Sequence, residues 1–154
     1  MIKRALVLAI LPIATAWVRR QERMILRDGA PLSGSQLADA RRAGVAQPER
    51  VRVLVVPQVP PHLHAILRGP GKLLGLVSSG TAGMSLRYGI FVRSDYRNDR
   101  ALLVHELAHT AQYERLGGLR AFLADYLFEC FTAGYPFGPL ETEAAEVARQ
   151  LCHR

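Results

Sequence analysis

The chain has 154 residues, of which 49% are hydrophobic and 21% charged, which suits one globular domain and excludes a disordered or collagen-like chain. Its two cysteines, Cys130 and Cys152, are too few for a disulfide scaffold and lack zinc-finger spacing, so both read as reduced thiols. The net charge of +7 is uneven, with 16 Lys/Arg against 6 Asp/Glu in residues 1–100 and 4 against 7 in residues 101–154; because no basic run exceeds two residues and no aromatics interleave, no nucleic-acid partner is expected.

Lys3 and Arg4 precede an apolar run that reaches Val18, 14 residues from Ala5. That is short of the roughly 20 needed to cross a bilayer. Small residues at Ala14, Thr15 and Ala16 resemble a signal-peptide cleavage site, whereas Pro12 and the closely following Arg19, Arg20 and Arg23 do not suit one. The preferred reading is a folded helix continuing to Asp28, in a cytoplasmic protein by default. A signal peptide and weak membrane-surface contact through residues 1–20 stay open.

Ser33 and Gln36 form a capping pattern that predicts a short helix over 36–43, stopped by Gly44. Residues 51–56, rich in valine and bounded by Pro48 and Pro57, predict a strand. The Pro- and Gly-rich stretch 59–80 predicts a loop with one helical turn. Residues 84–87 and 89–93 predict two strands, or one bent strand, around Tyr88 and Gly89. Three helices follow: 100–116 with Asp99 as its N-cap, 119–133 after Gly117 and Gly118, and 140–151 after Pro139. The expected fold class is α+β, one domain over 1–154, mostly helical with a short sheet.

Chemistry concentrates in the first of these three helices, at His105-Glu106-Leu107-Ala108-His109. Histidines four apart project from one helical face and can share one metal ion. Glu106 lies between them, placed to take a proton from a water. This is the His-Glu-x-x-His signature of zinc hydrolases, implying one zinc per chain as cofactor. A third ligand is required. No histidine follows in the His-x-x-Gly-x-x-His pattern, His153 is next to last in the sequence, and His62 and His64 stand in a proline-rich loop. Glu141, Glu143 and Glu146 are the remaining candidates. Glu141 borders the apolar stripe of its helix beside Ala144, Ala145 and Ala148, small residues that allow a close helix approach. Glu141 is therefore preferred, with Glu143 as the alternative.

At these residues the chain resembles the gluzincins, zinc metallopeptidases that take two histidines from His-Glu-x-x-His and a glutamate from a later helix. The segment around Glu141 and Ala144 resembles their Glu-x-x-Ala stretch. Gly89, Ile90, His105, Glu106, Leu107, His109 and Gln112 also resemble small bacterial zincin-like domains. The resemblance spans about 88–149 and implies a zincin-like fold, His105, His109 and Glu141 as zinc ligands, and Glu106 as general base. Some gluzincins place an Asp four residues after the ligand glutamate to orient a histidine; here that position is Ala145, with Glu129 as a possible substitute. An oxyanion-stabilising tyrosine is implied as well, with Tyr135 the candidate and Tyr113 the alternative. Strand 89–93 would correspond to the zincin edge strand, on which an extended peptide substrate adds. The expected function is a zinc-dependent metallopeptidase acting on peptide or protein; the alternative is a non-catalytic zinc-binding domain that docks a partner. No specificity pocket can be read from the residues.

Overall fold

The structure, a computed structural model, describes residues 2–59 and 81–152. Helix α1 (Ile2–Asp28) comes first, then strand β1 (Ala30–Pro31), helix α2 (Gly34–Arg42), strand β2 (Arg52–Val56) and the hairpin of β3 (Gly83–Leu86) and β4 (Gly89–Arg93). Helices α3 (Arg100–Arg115), α4 (Leu119–Thr132) and α5 (Pro139–Cys152) complete the α+β fold. Most of the loop expected over 59–80 lies outside the described residues, as do His62, His64 and His153.

The local signals act as their chemistry requires. Ser33 accepts a hydrogen bond from the Gln36 backbone while the Gln36 side chain returns to the Ser33 N–H, a closed capping box. Asp99 accepts from the Leu102 N–H and starts α3. Gly117 and Gly118 take φ of 91° and 110°, a left-handed turn that residues with a β-carbon resist. It reverses the chain between α3 and α4. Pro139 opens α5 within its first turn, where a missing N–H costs nothing.

The sheet order is β1-β2-β4-β3, with β2 and β4 parallel and the other two pairings antiparallel. This corrects one expectation. Strand 89–93 is β4, and it is central, hydrogen-bonded to β2 on one side and β3 on the other. Its residues Gly89 to Val92 are buried, as a strand covered by neighbours requires. The edge strand beside the histidine helix is β3, against which α3 packs.

Helix α1 lies across the sheet and against α4. Val7, Leu11, Ala14, Val18 and Ile25, spaced three, four or seven apart, are buried and join Phe91, Phe122, Leu123 and Leu127 in the main core. Its one buried charge, Glu22, accepts both hydrogen bonds of the Arg87 guanidinium at 2.8 Å and one from the Tyr88 N–H. Arg87 has φ of 68° at the tip of the β3–β4 hairpin, so Glu22 clasps the turn that carries β3. A second cluster, including Leu32, Val51, Tyr88, Ile90 and Leu107, fills the space between the sheet, α2 and α3. Both cysteines are free thiols. Among the described residues, no helix is long and apolar enough to cross a membrane.

Candidate functional site

Helices α3 and α5 pack side by side, with Ala144 fully buried and Ala148 nearly so in their contact. Small residues let the two backbones approach, which brings the first turn of α5 to His105 and His109. The two imidazole Nε2 atoms stand 3.1 Å apart. Glu141 closes a triangle with them: its Oε2 is 3.3 Å from His105 Nε2 and its Oε1 is 3.4 Å from His109 Nε2. Tetrahedral ligands at about 2.0–2.2 Å from a zinc ion are separated by about 3.3–3.6 Å from one another. The three donors fall at or just inside that spacing. His105, His109 and Glu141 thus form a group that could hold a metal ion.

Each donor is held by a named partner. His109 donates from Nδ1 to Gln112 Oε1 at 2.8 Å, which makes Nε2 the ring atom that faces the triangle. Gln112, fully buried, donates in turn from its own Nε2 to the Leu140 carbonyl at 2.9 Å. One amide therefore fixes the tautomer of a histidine on α3 and ties it to the first turn of α5, next to Glu141. Tyr126, on α4, donates from its hydroxyl to Glu141 Oε1. Burial pushes the Glu141 carboxyl up, but its hydrogen bonds with His105, His109 and Tyr126 and the His109 charge outweigh burial and hold it far below the usual carboxylate range. Burial also lowers His109, yet the Glu141 hydrogen bond and the charges of Glu106 and Glu141 raise it on balance.

Glu106 is buried beside this group. Burial raises its carboxyl above the ordinary value, against the charges of His109 and His105. Gly83 of β3 lies against it, and an added β-carbon there would lie 2.7 Å from Glu106 Oε1. The glycine therefore makes room for the carboxylate at the edge strand. A cavity of about 120 Å³ opens from the triangle, lined on its polar side by His105, His109, Glu106, Tyr135 and Glu141. Its apolar wall comes from Ala14, Trp17 and Val18 of α1, Met84 and Leu86 of β3, and Phe122, Leu123 and Leu127 of α4. The Trp17 indole N–H is buried with no hydrogen-bond partner.

The structure separates the remaining sequence candidates. Glu143 pairs with Arg115 through two hydrogen bonds of 2.7 and 2.8 Å, away from the triangle. Glu146 pairs with Arg149 on an exposed face. Glu129 does not reach a histidine: its carboxylate accepts from the Leu140 N–H at 2.9 Å and caps the start of α5. Ala145 is exposed, and Gln112 orients the histidine instead. Tyr135 stands partly exposed at the mouth of the cavity, its hydroxyl pushed up to about 12 by burial and by the charges of Glu141 and Glu106. It is a proton donor at neutral pH. Tyr113 is a core aromatic, stacked on Phe122 at 3.7 Å. Sequence reasoning did not single out Tyr126, Gly83 or the α1 wall of the cavity. The positioning role of Gln112 was within its reach, since a residue three after His109 shares its helical face.

The chain matches no family model, no curated protein and no solved structure.

Proposed function

We propose that this chain is a zinc-dependent peptidase with His105, His109 and Glu141 as its zinc ligands. The observation that carries this reading is the triangle of 3.1, 3.3 and 3.4 Å between three metal-binding atoms of two helices, with a buried carboxylate alongside. The donor set is two imidazoles, which bind a metal in their neutral form, and a carboxylate, a set that zinc hydrolases use with one position left open. When bound, zinc supplies Lewis acidity, lowering the pKa of a water to about 7 and polarising a carbonyl.

The chain's own residues do the rest. Glu106 accepts the proton from the attacking water and returns it to the leaving amine. Its raised pKa, nearer neutrality than that of an exposed glutamate, suits a group that must both take and give a proton. Tyr135, protonated and at the cavity mouth, donates to the oxygen on which charge develops. Strand β3, an edge of the sheet among the described residues, offers its backbone to an extended peptide. The apolar wall receives a side chain next to the scissile bond.

The test is zinc content and hydrolysis measured together. Wild type is expected to carry about one zinc per chain under zinc-replete conditions, and His105→Ala, His109→Ala and Glu141→Gln to lose it. Glu143→Gln should keep it. Glu106→Gln should retain zinc and fold but lose hydrolysis of casein or a peptide library. Equal and negligible metal in wild type and the ligand variants would overturn the metal centre. Zinc binding without hydrolysis in wild type would leave the alternative, a zinc-holding domain that docks a partner.

A further inference from the structure

The inner face of α1 is core, but its outer face is also apolar. Over the first four turns the exposed positions are Ala5, Leu8, Ala9, Pro12, Ile13 and Ala16, with Leu8 64% and Ile13 56% exposed. Their spacing of three and one, repeated, draws a single stripe about 17 Å long at 1.5 Å per residue. A helix apolar on all sides is ordinarily covered on all sides. Cations bracket the stripe: Lys3 and Arg4 before it, and exposed Arg19, Arg20 and Arg23 after it. No acid offsets them there. Of the two acidic residues in α1, Glu22 is buried against Arg87, and Asp28 lies at the far end, paired with Arg27.

This charge pattern selects the occupant. A second copy of the chain, seated stripe on stripe, would bring cations onto cations whether the helices ran parallel or antiparallel. An anionic bilayer surface meets both basic ends with opposite charge and takes the stripe into its acyl boundary. The stripe is too short to cross a membrane, and Val7, Leu11, Ala14 and Val18 hold the helix in the core. It would therefore lie in the plane of the interface. We infer that the outer face of α1 docks this protein on anionic phospholipid bilayers, with Leu8 and Ile13 inserted and Arg19, Arg20 and Arg23 against the headgroups. The opposite side of the same helix supplies Ala14, Trp17 and Val18 to the cavity wall, so docking would hold the cavity just beneath the membrane surface.

Co-sedimentation of the full chain with vesicles tests this. The probes are phosphatidylcholine alone and phosphatidylcholine with a third of its lipid replaced by phosphatidylglycerol. Binding is expected to the anionic vesicles at low salt, and to weaken strongly at about 1 M salt, where the Debye length is about 3 Å. A Leu8→Glu/Ile13→Glu double variant should bind at least about tenfold more weakly, and so should Arg19→Ser/Arg20→Ser/Arg23→Ser. Thermal melts establish that the variants fold; should the glutamates prevent folding, Leu8→Ser/Ile13→Ser makes the same test. Wild type left in the supernatant with anionic vesicles at low salt would overturn the inference. So would unchanged binding by the folded double variant, which would mean adsorption by charge elsewhere. A vesicle-free dimer in sedimentation velocity that the double variant dissociates would assign the stripe to a second copy instead.

Discussion

Replacing Gln112 by Met removes both of its hydrogen bonds while keeping a side chain of similar length and volume. The His109 Nδ1–H loses its acceptor inside a fully buried site, and the Leu140 carbonyl loses one of its donors. An orphaned buried polar group costs about 1–3 kcal/mol. The histidine counts in full and the helical carbonyl in part, giving a loss of about 2–4 kcal/mol. For a chain of this size each kcal/mol moves Tm by roughly 2–4 °C, so the variant should melt about 5–15 °C lower. Zinc affinity should fall as well, by about 10–100-fold, because nothing then fixes the tautomer of His109. Gln112→Glu separates the two effects. Its carboxylate still accepts from His109 Nδ1 but cannot donate to Leu140, so stability should drop while zinc affinity is kept or raised. Differential scanning calorimetry of the apo proteins and zinc competition against a chromophoric chelator measure each quantity. A Gln112→Met protein that melts within about 2 °C of wild type and binds zinc equally well would refute the orienting role.

Gly83→Ala should leave folding and zinc content intact but lower peptide hydrolysis by as much as about 100-fold, because the new β-carbon displaces the Glu106 carboxylate; unchanged activity would mean that Glu106 works from another position. Asp39 joins α2 to the start of α3 through two 2.8 Å hydrogen bonds from Arg100, which, opposed by burial, hold its carboxyl below the usual value. A depressed carboxylate pKa stabilises the fold above the unfolded value of about 3.9 and ceases to do so as pH falls through the folded one. Since Arg100 is half exposed, Asp39→Asn should cost at most about 1 kcal/mol at pH 7. That gap should close as pH drops below about 4, and a gap in Tm that stays constant well below that pH would sink the assignment.

Much of this architecture is written in short-range patterns. The i, i+4 histidines, the Ser33–Gln36 capping box, the Gly117–Gly118 stop and Pro139 act within one or two turns, so their consequences can be read from neighbouring residues. Glu141 was readable for a related reason: its place beside the alanines of α5 put it on the side that faces α3, and Glu143, two residues on, points away to Arg115. Long-range pairing left weaker traces. Nothing local in residues 89–93 shows that β2, separated by more than thirty residues, covers their other side, so the sequence points to β4 as the edge strand where the fold makes it β3. The capping role of Glu129 leaves no local trace for the same reason, since its partner Leu140 is reached only through the return of the chain after α4. Tyr126 and Trp17 carry no local signal, because the cavity they border exists only after α1, β3 and α4 have packed.

That packing makes residues 2–16 a structural question as well as a question of destination. They resemble a signal segment in composition, yet Val7, Leu11 and Ala14 are buried in the main core and Ile10 packs against it. Burying a Val or Leu side chain is worth about 1.5–3 kcal/mol, so these four residues together contribute on the order of 5–8 kcal/mol. A domain's whole stability is about 5–15 kcal/mol. Removal of residues 2–16 would also uncover the α4 side chains they cover and open the cavity wall at Ala14. The shortened chain should therefore be molten or insoluble, where the full chain melts cooperatively. Near-UV circular dichroism and a thermal scan of the two proteins decide it. A shortened chain that keeps the near-UV signal and melts within about 5 °C of the full one would mean that α1 beyond Ala16 suffices for the core. The segment would then be dispensable to the fold, and its apolar character would belong to the docking face alone.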